Sequence, residues 1–565
     1  MAVAQEHAPQ TFISKYVFST DHKMIGLQYI LTALFMGIVG SGLAVMIRMQ
    51  ITWPEKTLVT PENYISLVTM HGTIMVFFVI SLALVSGFGN FLIPLMLGAR
   101  DMAYPFLNML SYWTVVPGCL LILASFLVEG GAAAAGWTAY PPLSALSEAV
   151  PGSGLGQTLW LLAMALFIAS FTMGGLNFIA TILNCRVRGM TLMRMPLTIW
   201  TYFMSAILGV LSFPPLTAAA IMLLLDRHGG TSFFLPDGLV FGNEVLPHQG
   251  GTPLLFQHLF WFLGHPEVYV LVLPGIGITF DLLATFARRP IFGYRTSVWS
   301  LVVVGFLSMI VWGHHMYVTG MNPYVGEYFS IATVLITAPF AVLGLNLVAS
   351  LWRSRIRMEV PMYWALGTIA VIGLGGFGGL FLATSISDIY FHESFFVVGH
   401  FHLMIGVVTV LSTLGGIYHW FPKMFGRKMN PGLAKLHFWT TYIPIVAVFA
   451  LMHFQGLSGL LRRYYDHTIF EFQEAGIALA LPITVLTFVV TASQVVFIYN
   501  FFVSRKRGEV ATGNPWNGTT LEWTTPSPAP HGNWPGALPV VDRHPYDYDP
   551  AAPVESDFKP QGSVA

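Results

Sequence analysis

The sequence predicts an all-α integral membrane protein with twelve transmembrane helices. Of its 565 residues, 55% are hydrophobic and only 9% are charged, whereas soluble domains carry about 25% charged residues. Twelve apolar runs are long enough to cross a bilayer, which takes about 20 residues of helix. They cover residues 24–48, 64–98, 104–128, 157–185, 193–225, 253–287, 294–316, 327–352, 358–383, 392–422, 433–459 and 475–503.

The runs divide the chain into an N-terminal segment at 1–23, a helical domain at 24–504 and a polar tail at 505–565. The tail is rich in Pro and Gly and is expected to lie extended on the surface. The first apolar run is long enough to stay in the bilayer, so no cleavable signal is expected. Lys+Arg and Asp+Glu both total 26, which gives no indication of nucleic-acid binding.

Basic residues are concentrated in the loops on one side of the predicted bundle. They cluster at 186–194, 288–295, 353–357, 423–435 and 505–507, while the loops on the other side carry few. The positive-inside rule places such loops, and with them both termini, in the cytoplasm. A multi-pass protein of a bacterial-type inner membrane is therefore expected.

Six histidines lie inside the apolar runs. They are His71, His265, His314, His315, His400 and His402. An unpartnered imidazole in hydrocarbon is costly, and imidazole is a common ligand of haem iron and copper. At 1.5 Å per residue, the predicted topology puts all six at one depth in the outer half of the bilayer. This shared depth favours a multi-metal redox centre over six separately hydrogen-bonded side chains.

The spacing of these histidines predicts which of them share a metal. His400 and His402 are about 200° apart around a helix, so they point to opposite sides and can bind two different metals. His314 and His315 are about 100° apart, and both can reach one ion at the end of a helix.

A second pattern surrounds His265. Tyr269 lies four residues further on and shares its helix face, where a phenol beside a metal-bound imidazole can donate a proton and an electron. Glu267 points away from His265. An acid in mid-membrane is typical of a proton relay, and the alternative is a structural hydrogen-bonding role.

Four sequence motifs then resemble subunit I of the haem-copper oxygen reductases. They are TMHGTIMVFF, WFLGHPEVYVLVLPGIG, VWGHHMYVTGM and FHESFFVVGHFH, and the similarity extends from STDHKMIG at 19–26 to LLRRYYD at 460–466. The branch resembled is the cytochrome c oxidase type with a D-type proton pathway. The resemblance implies twelve helices that enclose two haems and a copper, reduce O2 to water and translocate protons.

The resemblance also implies a role for each histidine. The implied ligands are His71 and His402 for a low-spin haem iron, His400 for a high-spin haem iron, and His265, His314 and His315 for the copper. Tyr269 corresponds to the tyrosine that is cross-linked to the copper ligand His265 in this family. Haem A is the expected haem type.

The implied proton pathway begins at Asp101 and ends at Glu267. Its intermediate polar positions are Asn90, Asn108, Asn177, Tyr29 and Ser170. Each of these residues alone could instead join two helices by a hydrogen bond. As a set between two acids they favour a relay.

Further implied positions lie near the outer face. They are Arg462, Arg463, Trp137 and Asp388 around the haem propionates, Arg48 at a haem edge, and His392 with Glu393 at a Mg²⁺ or Mn²⁺ site that contacts subunit II. Many relatives have Asp where this chain has Glu393. Glutamate is still a hard oxygen ligand, but its side chain is longer than that of aspartate by one methylene.

A second departure concerns the K-type proton pathway of the family, which uses a lysine in the eighth run. Leu343 occupies that position here, and Phe340 replaces a threonine one turn earlier. Leucine cannot carry a proton, so protons are expected to enter by the Asp101 route or by a rewired one. Replacing Asp101 by Asn is therefore expected to abolish turnover from the fully oxidised state as well as pumping.

The electron donor is expected to be cytochrome c. Quinol oxidases of the family carry an Arg and an Asp in the first run, where this chain has Val39 and Leu43, and a His where it has Asn63. No dinuclear copper motif with paired cysteines is present, so the electron entry site is expected on subunit II, with subunit III as a further partner. The alternatives are a quinol oxidase, a nitric oxide reductase and a cofactor-free secondary transporter.

Overall fold

The structure is a computed structural model that describes residues 11–248, 250–553 and 555–564. We number its membrane helices in chain order. They are α1 (His22–Thr52), α2 (Pro61–Leu97), α3 (Pro105–Leu127), α4 (Leu155–Asn184), α5 (Leu197–His228), α6 (Pro253–Ala287), α7 (Tyr294–Ser308), α8 (Pro323–Ser350), α9 (Val360–Leu382), α10 (Phe395–Phe425), α11 (Pro431–Leu457) and α12 (Glu471–Arg507). Residues 1–10 of the predicted N-terminal segment, and 554 and 565 of the predicted tail, lie outside the described residues.

In the described part of the chain, eleven of these helices are long and apolar enough to span a membrane. The exception is α7, which has 15 residues where the sequence predicts a run at 294–316. After α7 the chain forms a short 3₁₀ helix at Trp312–Met316. Gly313 in this segment packs so closely on the ring of Phe329 that a Cβ would lie 2.3 Å from it. The 3₁₀ segment carries two of the six histidines at the end of the span.

Local sequence explains where many helices begin. Proline occupies the first turn of α2, α3, α6, α8 and α11, where a missing N–H costs nothing. The residue before four of these prolines accepts a backbone N–H bond through its side chain; these residues are Thr60, Thr252, Asn322 and Asn430. Such caps satisfy orphan donors at the helix start.

Four helices are not regular throughout. α2 is α-helical at Pro61–Thr73 and Gly89–Leu97 with a π-helical middle at Ile74–Phe88, and α10 has a π-helical segment at His402–Val407 between α-helical parts at Phe395–Phe401 and Val408–Phe425. α3 ends in a 3₁₀ turn at Ser125–Leu127. α12 begins with a 3₁₀ turn at Glu471–Gln473 and a short α-helix at Glu474–Ile477, which precede its main part at Ala480–Arg507. π-Helical turns often occur at functional sites. In α10 the π segment begins at one of the six histidines.

The centre of the bundle is α6. Its most apolar 18-residue window is 100% buried, compared with 22% for α1 and α12. α6 packs most extensively against α5. The outer helices expose large apolar side chains, for example Leu31, Phe35 and Ile38 of α1. Apolar surface of this extent fits contact with lipid, so the molecule is a multi-pass all-α membrane protein.

The polar tail beyond Arg507 lies across one end of the bundle, which we call the basic face because it carries Arg100, Arg186 and Arg288. Two tail strands, Pro539–Val541 and Gly562–Val564, pair in antiparallel register. The tail is firmly anchored. The Arg288 side chain forms a fully buried ion pair with Asp557, and its guanidinium lies 4.6 Å from the centre of the Tyr548 ring.

The remaining elements are short. They comprise strands Val240–Phe241 and Glu244–Val245, which pair in an antiparallel hairpin, a helix at Ser385–Phe391, a π-helical turn at Ile13–Val17, and 3₁₀ turns at Pro54–Lys56, Leu192–Arg194 and Leu521–Thr524. The hairpin and the Ser385–Phe391 helix belong to the connections at the opposite end of the bundle from the basic face.

Candidate metal centre

All six predicted histidines line one cavity of about 910 Å³. They reach it from α2, from α6, from the 3₁₀ segment after α7 and from α10. A volume of this size is at the upper end of the range typical of small-molecule and cofactor sites. The topology thus brings side chains far apart in sequence into one buried space.

Three of the histidines form a compact group. Nδ1 of His265 lies 3.3 Å from Nε2 of His315, and Nε2 of His314 lies 3.0 Å from the same atom. One ring nitrogen of each residue lies within 4.8 Å of the other two, and no other group of three His, Cys, Asp or Glu residues in the described ranges meets this criterion. Three imidazole nitrogens that face one point suit a copper or zinc ion.

A hydrogen bond fixes the orientation of one of these rings. The Thr333 hydroxyl donates to the carbonyl of Phe329, and its oxygen lies 2.9 Å from Nδ1 of His314. Since the hydroxyl proton is already used, Nδ1 of His314 is the donor to Thr333. The lone pair of Nε2 is then free to face the other two histidines. Such outer partners set the tautomer of a metal-binding imidazole.

Replacing Thr333 by valine is expected to weaken metal retention by about tenfold, since loss of an outer hydrogen-bond partner typically costs 10- to 100-fold in affinity. The copper-to-protein ratio after dialysis against a chelator measures the effect. Thr333→Ser keeps the hydroxyl and is the matched control. Equal copper retention in the Val and Ser variants would contradict this role.

Tyr269 lies beside His265, with 4.9 Å between the two ring centres. Nε2 of His265 has no hydrogen-bond partner among the described residues. The Phe340 ring packs against Tyr269 at 6.3 Å between centres, and Leu343 on the same helix is fully buried. An apolar ring of α8 therefore packs against Tyr269.

His71 and His402 face each other across the cavity. Their rings are 9° from parallel with 6.4 Å between centres, which is too far for a direct hydrogen bond and leaves space for one metal atom. Nδ1 of His71 is 2.9 Å from the Gly40 carbonyl, and Nδ1 of His402 is 2.9 Å from the Val398 carbonyl. Both rings therefore donate through Nδ1, and both Nε2 atoms remain available as ligands.

His400 points to a different part of the cavity from His402. Its Nδ1 is 2.8 Å from the Gly375 carbonyl of α9. Two further glycines of α9 make room for the ring. A Cβ on Gly379 would lie 3.0 Å from Cε1 of His400, and one on Gly378 would lie 3.4 Å from Nδ1. The glycine-rich face of α9 thus positions this imidazole with a free Nε2.

Arg48 also lines the cavity. Its side chain is buried, Nη2 donates to the Ala480 carbonyl at 3.1 Å, and Nε lies 3.3 Å from Oγ1 of Thr484. Nη1 has no partner among the described residues. A buried, unsatisfied guanidinium nitrogen at a cavity wall fits a polar group of a bound molecule.

The residues that the sequence predicts near the outer face form ion pairs with one another. Arg462 donates two hydrogen bonds to the Glu393 carboxylate, from Nη2 at 2.5 Å and from Nε at 3.0 Å. Nε of Arg463 lies 4.0 Å from the same carboxylate. Burial alone would raise the pKa of Glu393, but the two arginines lower it to about 2. Nδ1 of His392 is 2.7 Å from Asp388. His392 and Glu393 therefore have protein partners, and a cation between them remains a prediction.

Trp137 lies between α2 and the histidines of the cavity. Its ring contacts Phe77, Phe260, Trp261 and Phe401. Trp261 in turn stacks on His315, with 3.8 Å between the ring centres. The aromatic cluster excludes water from this side of the site and fixes the His315 ring.

The predicted proton-pathway residues fall into two groups. In the first, the Tyr29 hydroxyl lies 3.0 Å from Oγ of Ser111 and 3.4 Å from Oγ of Ser170, so three helices are joined by hydroxyls. Asn108 is fully buried next to this group, and neither atom of its amide has a partner in the described residues. Water normally satisfies such groups.

The second group lies at the basic face around Asp101. The Asn177 side-chain amide accepts a hydrogen bond from the Tyr104 N–H and donates one to the Tyr104 carbonyl. The Asn90 side-chain amide donates to the Ser86 carbonyl. Burial raises the pKa of Asp101 to about 7, with the Met102 N–H opposing that rise. An acid with a pKa near 7 can take up and release protons at neutral pH.

Glu267 lies at the other end of this set. It is buried in the centre of the bundle, and Oε1 accepts a hydrogen bond from Ser81 at 3.2 Å. Oε2 has no partner among the described residues. An acid held by one bond in mid-membrane can rotate between partners, which a relay requires.

Sequence reasoning missed several residues that support the site. Thr333, Ser81 and Ser111 are single hydroxyl residues in apolar helices, and nothing in the sequence distinguishes them from the many others. Their importance comes from the side chain that each one meets across a helix interface. No sequence signal could have identified them without the packing.

Comparison with known proteins agrees with this geometry. The family model "Cytochrome C and Quinol oxidase polypeptide I" matches residues 24–491. The chain is 46% identical to "Alternative cytochrome c oxidase subunit 1" of Bradyrhizobium diazoefficiens over 98% of its own length and 94% of that protein. It is 40% identical to "Cytochrome c oxidase subunit 1" of Thermostichus vulcanus, over 94% and 92% of the two chains.

A solved structure, described as a cryo-EM structure of a heme-copper terminal oxidase dimer, has the same fold. It is 18% identical, with a TM-score of 0.71, and the match covers 87% of this chain and 85% of that one. The fold and the cavity together define a polytopic all-α membrane protein built around a buried metal centre. The chain belongs to the cytochrome c and quinol oxidase polypeptide I family, the subunit I family of the haem-copper oxidases.

The residues present fit the cofactors of this family, haem and copper. The compact group of three imidazoles suits one metal ion, and the opposed pair suits an iron bound from both sides. The unpartnered Nη1 of Arg48 and the glycine-lined position of His400 lie on the same cavity. Family membership also excludes the transporter alternative and implies association with other oxidase subunits.

Proposed function

We propose that this chain is the catalytic subunit of a terminal cytochrome c oxidase, which reduces O2 to water and couples this reaction to proton translocation. The observation that carries the proposal is the convergence of six buried histidines on one cavity in three arrangements: a triad, an opposed pair and a single imidazole. Each arrangement matches one metal of the haem-copper set. The names of the relatives favour cytochrome c over quinol as the donor.

The geometry supports one assignment of the residues that would hold the cofactors. His71 and His402 would hold a low-spin haem iron, His400 a high-spin haem iron, and the triad of His265, His314 and His315 a copper. We propose haem A for both haems. When bound, these groups supply the electron storage and the oxygen-binding chemistry of the reaction.

The protein itself contributes orientation and exclusion of water. Backbone carbonyls of Gly40, Gly375 and Val398 and the Thr333 hydroxyl fix the tautomers of four imidazoles. Arg462 and Arg463 place two guanidinium groups at the outer edge of the cavity. Such groups bind carboxylates by paired hydrogen bonds, which suits haem propionates, with Trp137 and Asp388 on the same wall. Tyr269 is placed to donate a proton and an electron beside His265.

Protons would enter at Asp101 and reach Glu267 through Tyr29, Ser111 and Ser170, with water at the unpartnered Asn108. Each hydroxyl accepts a proton on one side and donates one on the other. Glu267 has one free carboxylate oxygen, from which a proton can pass toward the metal site or outward.

We infer that the basic face is cytoplasmic, which puts both termini inside and the histidines near the outer side of a bacterial-type inner membrane. The partners proposed are a subunit II that carries the dinuclear copper entry site, and subunit III. The His392 and Glu393 region faces the outer side, where subunit II would bind and where a Mg²⁺ or Mn²⁺ ion would lie.

The test is a reduced-minus-oxidised absorption spectrum of the purified complex, with metal analysis and oxygen consumption in the same preparation. We expect bands of two haems, one copper per chain in addition to any copper on subunit II, and faster turnover with reduced cytochrome c than with quinol. Band positions identify the haem type. A preparation without haem bands would refute the oxidase proposal, and faster turnover with quinol would refute the assigned donor.

A further inference from the structure

A line of hydroxyl side chains follows one face of α5. Its members are Thr198, Thr201, Ser205 and Ser212, and each is fully buried. Spacings of three, four and seven residues place them on the same helix face. This face meets α6, because a Cβ on Gly277 of α6 would lie 2.2 Å from Oγ1 of Thr201. The line therefore runs along the interface of α5 with the helix that carries His265 and Glu267.

Two of these hydroxyls have no partner. Oγ of Ser205 and Oγ of Ser212 make no hydrogen bond to any described residue. Other buried hydroxyls in this protein usually donate to the carbonyl four residues earlier, as Thr279 and Thr368 do. Buried polar groups without a protein partner are typically satisfied by ordered water. Ordered water is therefore the expected partner of both serines.

A buried acid stands at the basic-face end of the line. Asp281 of α6 is 3% exposed. Its Oδ2 accepts a hydrogen bond from Thr198, and its Oδ1 has no hydrogen-bond partner among the described residues. The tail contributes a second buried acid, Glu522. The unsatisfied carboxylate oxygen gives the line a proton-binding group at its start.

The tail packs beside this end of the line. The Tyr546 hydroxyl accepts the Leu197 N–H at 2.7 Å, and Leu197 directly precedes Thr198 in the sequence. The Tyr294 ring lies 6.4 Å from that of Tyr546 and 5.9 Å from the exposed imidazole of His544. Polar rings thus extend from the surface of the basic face to Leu197, next to the Thr198 that is hydrogen-bonded to Asp281.

The register of the two helices shows how far the line extends. Asp281 contacts Thr198, and α5 and α6 run in opposite directions. Glu267 lies 14 residues before Asp281, and Ser212 lies 14 residues after Thr198. Both separations correspond to about 21 Å along a helix axis. Ser212 is therefore level with Glu267, at the depth of the metal centre.

The widest interval in the line, between Ser205 and Ser212, coincides with a break in the hydrogen bonding of α6. Pro274 has no N–H to donate to the carbonyl of Val270. The same register places Val270 level with Gly209, in the middle of this interval. A carbonyl without its helical donor can accept a hydrogen bond from water there.

We propose that Asp281 and the α5 hydroxyl line form a second proton-uptake route that supplies the reduction chemistry; this inference rests on the proposed oxidase function. A proton from bulk water binds the Asp281 carboxylate. Thr198, Thr201, Ser205 and Ser212, with intervening water, each accept one proton and release another until a proton arrives at the level of Glu267. The neighbouring helix α8 has no Asp, Glu, Lys, Arg or His between Phe329 and Ser350.

The test uses the purified oxidase complex and two variants, Asp281→Asn and the double variant Ser205→Ala/Ser212→Ala. Asparagine keeps the shape of Asp281 but cannot bind a proton. Removal of two unpartnered hydroxyls breaks no hydrogen bond within the protein, so stability should be preserved. Anaerobic reduction of the high-spin haem and the accompanying proton uptake, followed with a pH dye, are expected to slow by about tenfold or more in both variants.

Matched controls are Asp226→Asn, a buried acid at the far end of α5, and Ser308→Ala, a fully buried serine bonded to Gly305. Both should reduce at the wild-type rate, with unchanged haem bands. A wild-type rate in the double serine variant, or in Asp281→Asn, would overturn the proposal. Failure of the oxidase function itself is seen separately, as missing haem bands in the unaltered complex. If Asp281→Asn does not assemble, the double serine variant decides.

Discussion

Replacing His402 by alanine should leave a complex with one haem and almost no oxygen consumption. His402 and His71 are the only opposed imidazole pair among the described residues that line the cavity, and an iron that loses one of two axial ligands changes its spin state or is lost. Electrons from the donor would then have no first acceptor in this chain. The absorption spectrum should lose the low-spin bands and keep the high-spin bands.

The matched comparison is His400→Ala, two residues away on the same helix. It should remove the high-spin bands and keep the low-spin ones, because Nδ1 of His400 is held by Gly375 on another wall of the cavity. His453→Ala is the control, since its ring is bonded to the Phe449 carbonyl and belongs to neither arrangement. Loss of the same bands in the His400 and His402 variants would contradict the assignment of these ligands.

Replacing Asp101 by asparagine should reduce steady-state oxygen consumption by about 100-fold and abolish proton translocation. A positioned acid or base typically contributes 10²- to 10⁴-fold to proton transfer. Burial raises the pKa of Asp101 to about 7. Its carboxyl is therefore mostly protonated below pH 7 and mostly ionised above it, and proton uptake through it should decline as the pH rises through 7.

The measurement is turnover and proton release of the complex in vesicles between pH 6 and 9. The wild type should lose activity across a titration near pH 7, and the Asn variant should show low activity without that titration. Asp101→Glu keeps the carboxyl group and should restore most of the turnover. An Asn variant that pumps normally would show that protons enter elsewhere.

The two uptake routes make different predictions for this variant. Asp101 lies in the loop between α2 and α3, and Asp281 lies at the basic end of α6, beneath the tail. If both routes operate, the Asp101 variant should still reduce its high-spin haem under anaerobic conditions. The Asp281 variant should be slow in that step. The pair of variants therefore separates the protons taken up during reduction of the high-spin haem from those taken up in the rest of the reaction.

The hydrophobic pattern by itself determined the class of fold and the helices. Runs of about 20 apolar residues can satisfy their backbone only as membrane helices, and several of these helices begin with a proline in the first turn. The seventh run was the exception. Its last residues form a 3₁₀ segment in which Gly313 packs against Phe329 of another helix, α8.

The ligand types were also present in the sequence. Histidine in hydrocarbon needs a partner, and periodicity alone separated His400 from His402. The arrangement of the ligands was not determined this way. Packing between helices sets the 3.3 Å between Nδ1 of His265 and Nε2 of His315. It also sets the parallel facing of the His71 and His402 rings.

Tertiary structure alone decided which ordinary polar residues matter. Thr333, Ser81, Ser205 and Asp281 resemble many other polar residues in membrane helices, and the tail gave no sign that Asp557 would pair with buried Arg288. Helical periodicity tells which side chains share a face, because it is a property of one segment. Which face meets which neighbour, and which polar atom is left without a partner, depends on the packing of the whole bundle.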